Sequence, residues 1–376
     1  TKSIYNMKML PISFTQTRFI NPIVLFKAFI WFLLRGFQLN NNKKYKNIFL
    51  HNLDKNDFSN LLIPDNIKVT KKIEQGTLIL LGKFKIFFIL RLIFSLKKVR
   101  LVDKNFYLSS EASTRLRLYY YDFSDISERT NYINTSMENF KSLKKIINFE
   151  NIALLGTGPS YDKAKDYYHE KNLEIVSCNS AIYDDDLWNS GCKIICFGDP
   201  VFHFGNSSEA YRFKQEVIKR FNTKKFYIIC PIVAFPILVH DWKIDKRYII
   251  GLQPSENNYK IGINKNLLSP NTSNVLTEFM LPFGSLLSKN IYLGGFDGRD
   301  KNETNFWKYS KKTTQTLDEH KDNHPSFFYD RNIKKYYRTH ISILRKQIYE
   351  LEKNGYLISN VTNSNIEILK ERNINE

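Results

Sequence analysis

The chain predicts an α/β fold: a doubly wound, mostly parallel sheet with an additional N-terminal domain. Three observations carry this. The apolar run Ile152–Leu155 ends abruptly in Gly156-Thr157-Gly158-Pro159-Ser160. Further short apolar runs recur at Leu173–Cys178, Lys193–Phe197, Phe226–Ile229 and Asn290–Leu293. Polar or amphipathic stretches of helical length lie between them, at Tyr161–Lys171, Ala210–Arg220 and Ser273–Leu287. Continuous apolar runs separated by helices are the pattern of strands buried on both faces by crossover helices.

The first run feeds a turn suited to an anion. Gly156 and Gly158 allow close approach because they carry no Cβ. Pro159 fits a tight turn or a first helical position. Ser160 is a good N-cap whose hydroxyl accepts a backbone N–H and can donate to a phosphate. In open parallel sheets, ligands bind beyond the carboxyl ends of strands where the strand order reverses. The polar residues expected there are Thr157, Ser160, Asn179, Asp199 and Asp297.

The alternation starts near residue 148, so the domains are expected at 1–148 and 149–376. Before it, Leu118–Tyr121 reads as a strand and Met137–Ile147 as a helix. Two segments combine apolar bulk with cations: Phe19–Leu39, with Lys27 and Arg35, and Leu78–Leu96, with Lys83, Lys85 and Arg91. A central Lys or Arg costs roughly 2.5–3.5 kcal/mol in a bilayer, so these segments suit an interfacial helix better than a span. The residues from Leu78 to Ile93 also permit strands.

Lysine and arginine outnumber aspartate and glutamate 56 to 37, a formal charge of +19. The excess points to an anionic partner, and an anionic membrane surface is expected. Nucleic acid is not: no helix-turn-helix, zinc or RNA-recognition pattern accompanies the charge. The cysteines Cys178, Cys192, Cys196 and Cys230 have no zinc spacing and read as buried thiols of a reducing compartment. No cleavable signal is expected at the start of this sequence.

Taken in order, five motifs resemble one family. Gly156-Thr157-Gly158-Pro159-Ser160, Cys178-Asn179, Asp199-Pro200, Thr272-Ser273-Asn274-Val275 and Gly294-Gly295-Phe296-Asp297 look like the motifs of bacterial lipooligosaccharide sialyltransferases. The resemblance covers roughly residues 150–365. It implies a single Rossmann-like domain, a variant like the glycosyltransferase type A fold. It also implies a CMP-activated sugar as donor substrate, an inverting transfer and no obligatory cofactor or metal. The donor would be held by Gly156, Thr157, Gly158, Ser160, Asn179, Asp199, Thr272, Ser273, Asn274, Gly295 and Asp297. The family has asparagine where this chain has Thr157 and Asp199, and glycine where it has Asn274.

Such a transfer needs a base for the acceptor hydroxyl and stabilisation of the departing phosphate. The resemblance places the base in the region His320–His340: His324 first, His340 second, His320 third. Tyr309 is the expected phosphate contact, with Trp307 beside it. The expected acceptor is a cell-surface glycan or glycolipid of lipooligosaccharide or capsule. The expected location is cytoplasmic, peripheral on the inner face of the bacterial plasma membrane, and homo-oligomerisation is left open. The competing readings are transfer of another CMP-sugar such as Kdo, a hydroxymethylpterin pyrophosphokinase-like enzyme, and a non-catalytic membrane-associated adaptor.

Overall fold

A computed structural model describes residues 47–51, 67–70, 77–81, 99–101, 114–147, 150–205, 207–255, 267–298 and 333–374. These fall into two compact units. The first is drawn from residues 1–130, 200–212 and 318–336, the second from residues 131–199, 213–317 and 337–376.

In the first unit, strands β1 (Asn47–His51), β2 (Lys68–Thr70), β3 (Thr77–Leu81) and β4 (Val99–Leu101) form a parallel sheet in the order β2-β1-β3-β4. The start of the basic-apolar segment Leu78–Leu96 is therefore strand, the alternative its Ile and Phe content allowed. The remainder of that segment and all of Phe19–Leu39 lie outside the described residues. Leu118–Tyr121 is not a strand. The short helix Thr114–Arg117 runs on into a wide helical turn, Leu118–Asp122, closed by Phe123 N–H donating to Leu118 O at 2.8 Å. The aromatic run has strand propensity, but the helical turn buries Leu118, Tyr119 and Tyr120 together and sets Tyr119 edge-on to Phe123.

Helix α1 (Ile126–Leu143) starts well before the expected Met137. A reciprocal cap sets its start: Glu128 N–H donates to Asp125 Oδ1 and Asp125 N–H to Glu128 Oε2, both at 2.9 Å. The second unit then alternates β5 (Ile152–Leu155), α2 (Tyr161–Glu170), β6 (Glu174–Cys178), α3 (Asp185–Asn189) and β7 (Ile194–Cys196). It continues through α4 (Ser208–Thr223), whose first turn lies in the other unit, β8 (Tyr227–Pro231), α5 (Phe235–His240), β9 (Ile249–Ser255) and β10 (Leu268–Pro270). It closes with α6 (Leu281–Leu287), β11 (Asn290–Gly294), α7 (Ile333–Lys353), β12 (Leu357–Asn360) and α8 (Glu367–Lys370).

The eight strands form one sheet in the order β10-β9-β8-β7-β6-β5-β11-β12. Every neighbouring pair is parallel. The chain winds outward from β5 to β10, then returns to lay β11 on the other side of β5. The order therefore reverses between β5 and β11.

Alternate residues feed two cores. Ile152, Leu154, Val176, Cys178, Ile194, Cys196, Ile229 and Ile291 face one layer, with Phe140 and Leu143 of α1, Phe283 of α6 and Leu344 and Ile348 of α7. On the other face Phe197 meets Phe213 of α4 at 5.0 Å and Trp242 at 5.8 Å, and Tyr168 of α2 donates to Leu154 O at 3.1 Å. Both faces are covered, which is why these strands read as unbroken apolar runs. Among the described residues, no helix is long and apolar enough to cross a membrane.

One charged cluster is sealed beneath α2. Lys165 Nζ lies 2.7 Å from Asp184 Oδ2, and Tyr161 Oη donates to the same oxygen at 2.8 Å. Lys165 and Asp184 are each 2 % exposed. Burial would raise the Asp184 carboxyl, but the bonds from Lys165 and Tyr161 hold it below its ordinary value. Removing one partner of such a pair strands the other charge. Lys165→Met should lower stability by about 3–5 kcal/mol in urea unfolding, with the far-ultraviolet spectrum unchanged. A loss below about 1 kcal/mol would show that Asp184 does not depend on this lysine.

Candidate functional site

The strand-order reversal sits where the glycine turn leaves β5, and the turn is fastened to the extension of β11. Gly156 N–H donates to Gly294 O at 2.8 Å, and Gly158 N–H to Gly295 O at 2.9 Å. Asp297, just beyond β11, accepts the Ser160 N–H on both carboxylate oxygens, at 3.1 and 3.2 Å. The glycines are explained by this contact. A Cβ on Gly156 would stand 2.5 Å from the Phe296 ring, and one on Gly158 2.7 Å from Gly295 O and closer still to the Asp297 carboxylate. Gly295 adopts φ +75°, a conformation glycine takes without strain.

This corrects the expectation for Ser160. It occupies the N-cap of α2, but its hydroxyl makes no capping bond to the helix and instead sits against the Asp297 carboxylate. The anion at this helix start is a carboxylate supplied from 137 residues away. It takes the place next to the positive end of the helix that a phosphate would favour. Burial raises the Asp297 carboxyl above its ordinary value.

The next strands bring the other expected residues to the same end of the sheet. Cys178 closes β6, its thiol donating to Leu155 O at 3.6 Å just before the glycine turn. Asn179 follows with φ +45°, a left-handed conformation that asparagine tolerates well. Ser180 is 4 % exposed and its hydroxyl has no partner. All four cysteines are buried and unpaired with one another; burial pushes Cys178 up to about 12 and Cys192 to about 11.

Beyond β7 and β10 the site contains a residue the sequence reading missed. The helix expected from Ser273 begins only at Leu276, because Ser273 takes φ +56° and breaks the helical path. Asn274 caps the new start, its Oδ1 accepting the Leu276 N–H at 3.0 Å. Glu278 lies in the wide turn Leu276–Met280 and folds back on the loop. Its Oε2 accepts the Ser273 N–H at 2.6 Å and the Thr272 N–H at 3.1 Å. The N–H groups of Thr272 and Ser273, residues expected to hold the donor, are therefore taken by this carboxylate.

Part of the Glu278 side chain touches solvent, but its carboxyl group is enclosed. Burial, helped by the charge of Asp199, pushes it up to about 7 against the two N–H bonds. Asp199 is thereby placed beside Glu278. Gly198 packs where a Cβ would stand 2.6 Å from the Phe279 ring, tying the exit of β7 to the same turn. An acid in the first turn of a predicted helix was the available signal for Glu278.

His340 reaches this loop indirectly. It is buried on α7, with Nδ1 3.4 Å from Thr277 Oγ1, which is 2.9 Å from Thr272 Oγ1. Burial lowers its pKa to about 4, so the ring is neutral near pH 7. His324, His320, Tyr309 and Trp307 lie outside the described residues.

The structure thus gathers Gly156, Thr157, Gly158, Ser160, Asn179, Asp199, Thr272, Ser273, Asn274, Gly295 and Asp297 at the carboxyl ends of their strands, and adds Glu278. Among the described residues, no group of three or more His, Cys, Asp or Glu side chains is arranged to hold a metal ion. No protein-family model, curated protein or solved structure matches the chain.

The raised Glu278 carboxyl has a signed consequence. In the unfolded chain it loses its proton near 4.5, but in the folded protein only near 7. Between those values the unfolded state is favoured by ionisation, so stability falls as pH rises through the window and then levels. Glu278→Gln removes the titration. Thermal melts should show the variant gaining on the parent from pH 4.5 to 7 and keeping a constant difference above. A pH-independent difference would contradict the assignment.

Proposed function

We propose that the chain is a glycosyltransferase that moves a sugar, sialic acid in the first instance, from a CMP-activated donor to a cell-surface glycan with inversion. The catalytic unit would be a Rossmann-like domain of the glycosyltransferase type A sort. One observation carries the reading. The polar residues of all five motifs, scattered over 142 positions from Gly156 to Asp297, stand at the carboxyl ends of β5, β6, β7, β10 and β11, on both sides of the strand-order reversal. That is where a parallel sheet holds a nucleotide.

The electrostatics favour sugar transfer over phosphoryl transfer. Asp199, Glu278 and Asp297 all follow strands at their carboxyl ends, Asp199 within electrostatic range of Glu278. Carboxylates repel a polyphosphate but stabilise the positive charge that grows on an anomeric carbon as its bond breaks. They also accept from donor groups of a nucleoside, such as the cytosine amine and ribose hydroxyls. Glu278 is the base of the proposal: a carboxyl titrating near 7 takes the acceptor proton at neutral pH. His340, neutral and linked through Thr277, supports the loop that carries Thr272 and Ser273. The anionic membrane surface remains the proposed partner, on the cytoplasmic side.

A thermal-shift series with CMP, CDP, UDP, ADP and ATP tests the donor class. CMP at a hundredfold excess over its dissociation constant should add about 2.7 kcal/mol of stability. A shift with ATP and magnesium alone would favour the pyrophosphokinase-like enzyme, and no shift at all the non-catalytic adaptor. Glu278→Gln should keep the CMP shift while sugar transfer from CMP-sialic acid drops about 10²–10⁴-fold. Unchanged turnover would remove Glu278 from the chemistry.

A further inference from the structure

One rim of the parallel sheet is rich in exposed lysines. Strands that all run one way begin at one rim, so the segments that lead into them share that rim. Six of these segments each place an exposed lysine there: Lys145 before β5, Lys171 before β6, Lys225 before β8, Lys246 before β9, Lys289 before β11 and Lys353 before β12. Among the described residues of these segments the exposed acids are Glu150 and Glu170. Of the half-exposed acids on the rim, Glu174 is matched by Lys193 at 2.6 Å, Asp245 by Arg247 at 2.6 Å and Glu352 by Arg372 at 2.5 Å, and Glu350 stands beside Lys353 on α7.

The lysines are spread over the rim, and the loops meet. A Cβ on Gly355 would lie 3.9 Å from Lys289 Nζ, and one on Gly191 3.6 Å from Lys224 Nζ. Cations at helix C-termini complement the helix dipole, which accounts for Lys171 and Lys353. It does not account for Lys246, in the short turn Lys246–Tyr248, or for Lys225 and Lys289 beyond the ends of α4 and α6, whose ammonium groups lie 4.1 Å from the Phe221 ring and 5.9 Å from the Tyr356 ring. Two large aliphatic chains stand exposed among them: Ile146 at 56 % and Leu357 at 68 %.

We infer that this rim docks the protein on an anionic lipid bilayer, its lysines against lipid phosphates and Ile146 and Leu357 in the boundary below the headgroups. Cations interleaved with isolated aliphatic chains fit that boundary. Nucleic acid would call for guanidinium forks and stacking rings, whereas Arg247 is held by Asp245. In this pose the crevice, at the other end of the strands, faces the aqueous phase where a glycan chain projects. The inference rests on the membrane partner of the proposed function and gives it a surface.

Co-sedimentation of the full chain tests it, using vesicles of phosphatidylcholine alone or with phosphatidylglycerol in equal parts. The parent should bind the anionic vesicles and release from them as salt rises. The triple variant Lys145→Glu, Lys246→Glu, Lys289→Glu should lose at least about tenfold in affinity, and the triple alanine variant less, in the same direction. Ile146→Ser with Leu357→Ser should weaken binding with its salt dependence unchanged. The CMP thermal shift of each variant should persist, so that failure of docking and failure of the donor reading are read separately. Unchanged vesicle binding by the charge-reversed variant overturns the inference. So does tighter binding to duplex DNA than to vesicles, lost in that variant.

Discussion

The carboxylate of Asp297 on the backbone of Ser160 is the constraint from which the rest of the site follows. It joins the exit of β11 to the start of α2 across the strand-order reversal. Two parallel backbone bonds, from Gly156 and Gly158 to Gly294 and Gly295, reinforce it. The exit of β12 is drawn into the same junction: Asn365 N–H donates to Asp297 O at 2.6 Å, and Ser364 Oγ to Phe296 O at 2.8 Å. The glycines serve packing of chain on chain.

A second carboxylate repeats the device at the other wall. Glu278 gathers the N–H groups of Thr272 and Ser273 much as Asp297 gathers that of Ser160. In both places a side chain satisfies backbone donors that would otherwise be left bare at a loop or helix start. Both carboxylates stand at the carboxyl ends of the strands. The sealed Lys165–Asp184–Tyr161 cluster under α2 is matched and enclosed.

Much of the sheet was legible because strands buried on both faces need no alternation. β5, β6, β7, β8 and β11 each appear as an apolar run that stops at glycine, asparagine, aspartate or a Cys-Pro pair. β9 was not legible: it follows directly on the charged turn Lys246–Tyr248 and contains Pro254 one residue from its end. β10 and β12 are three and four residues long, too short for a period to show. Leu118–Tyr121 was misread because local aromatic propensity yielded to burial in a helical turn. Most positions of the site were legible as residues that follow strands. Their partners were not: Asp297 and Ser160 are separated by 137 residues, and nothing local announces that one caps the other. Glu278 escaped for a related reason, since its role depends on the left-handed turn at Ser273 that redirects it.

The central claim is that a cytidine nucleotide lies in the crevice between these two carboxylate-held walls. Amide hydrogen exchange with and without CMP tests it most directly. The account predicts slowed exchange at Thr157–Tyr161, Asn179–Ser180 and Thr272–Ser273 together, with the lysine rim unchanged. Slowing confined to other segments, or none at these three under saturating CMP, would contradict it.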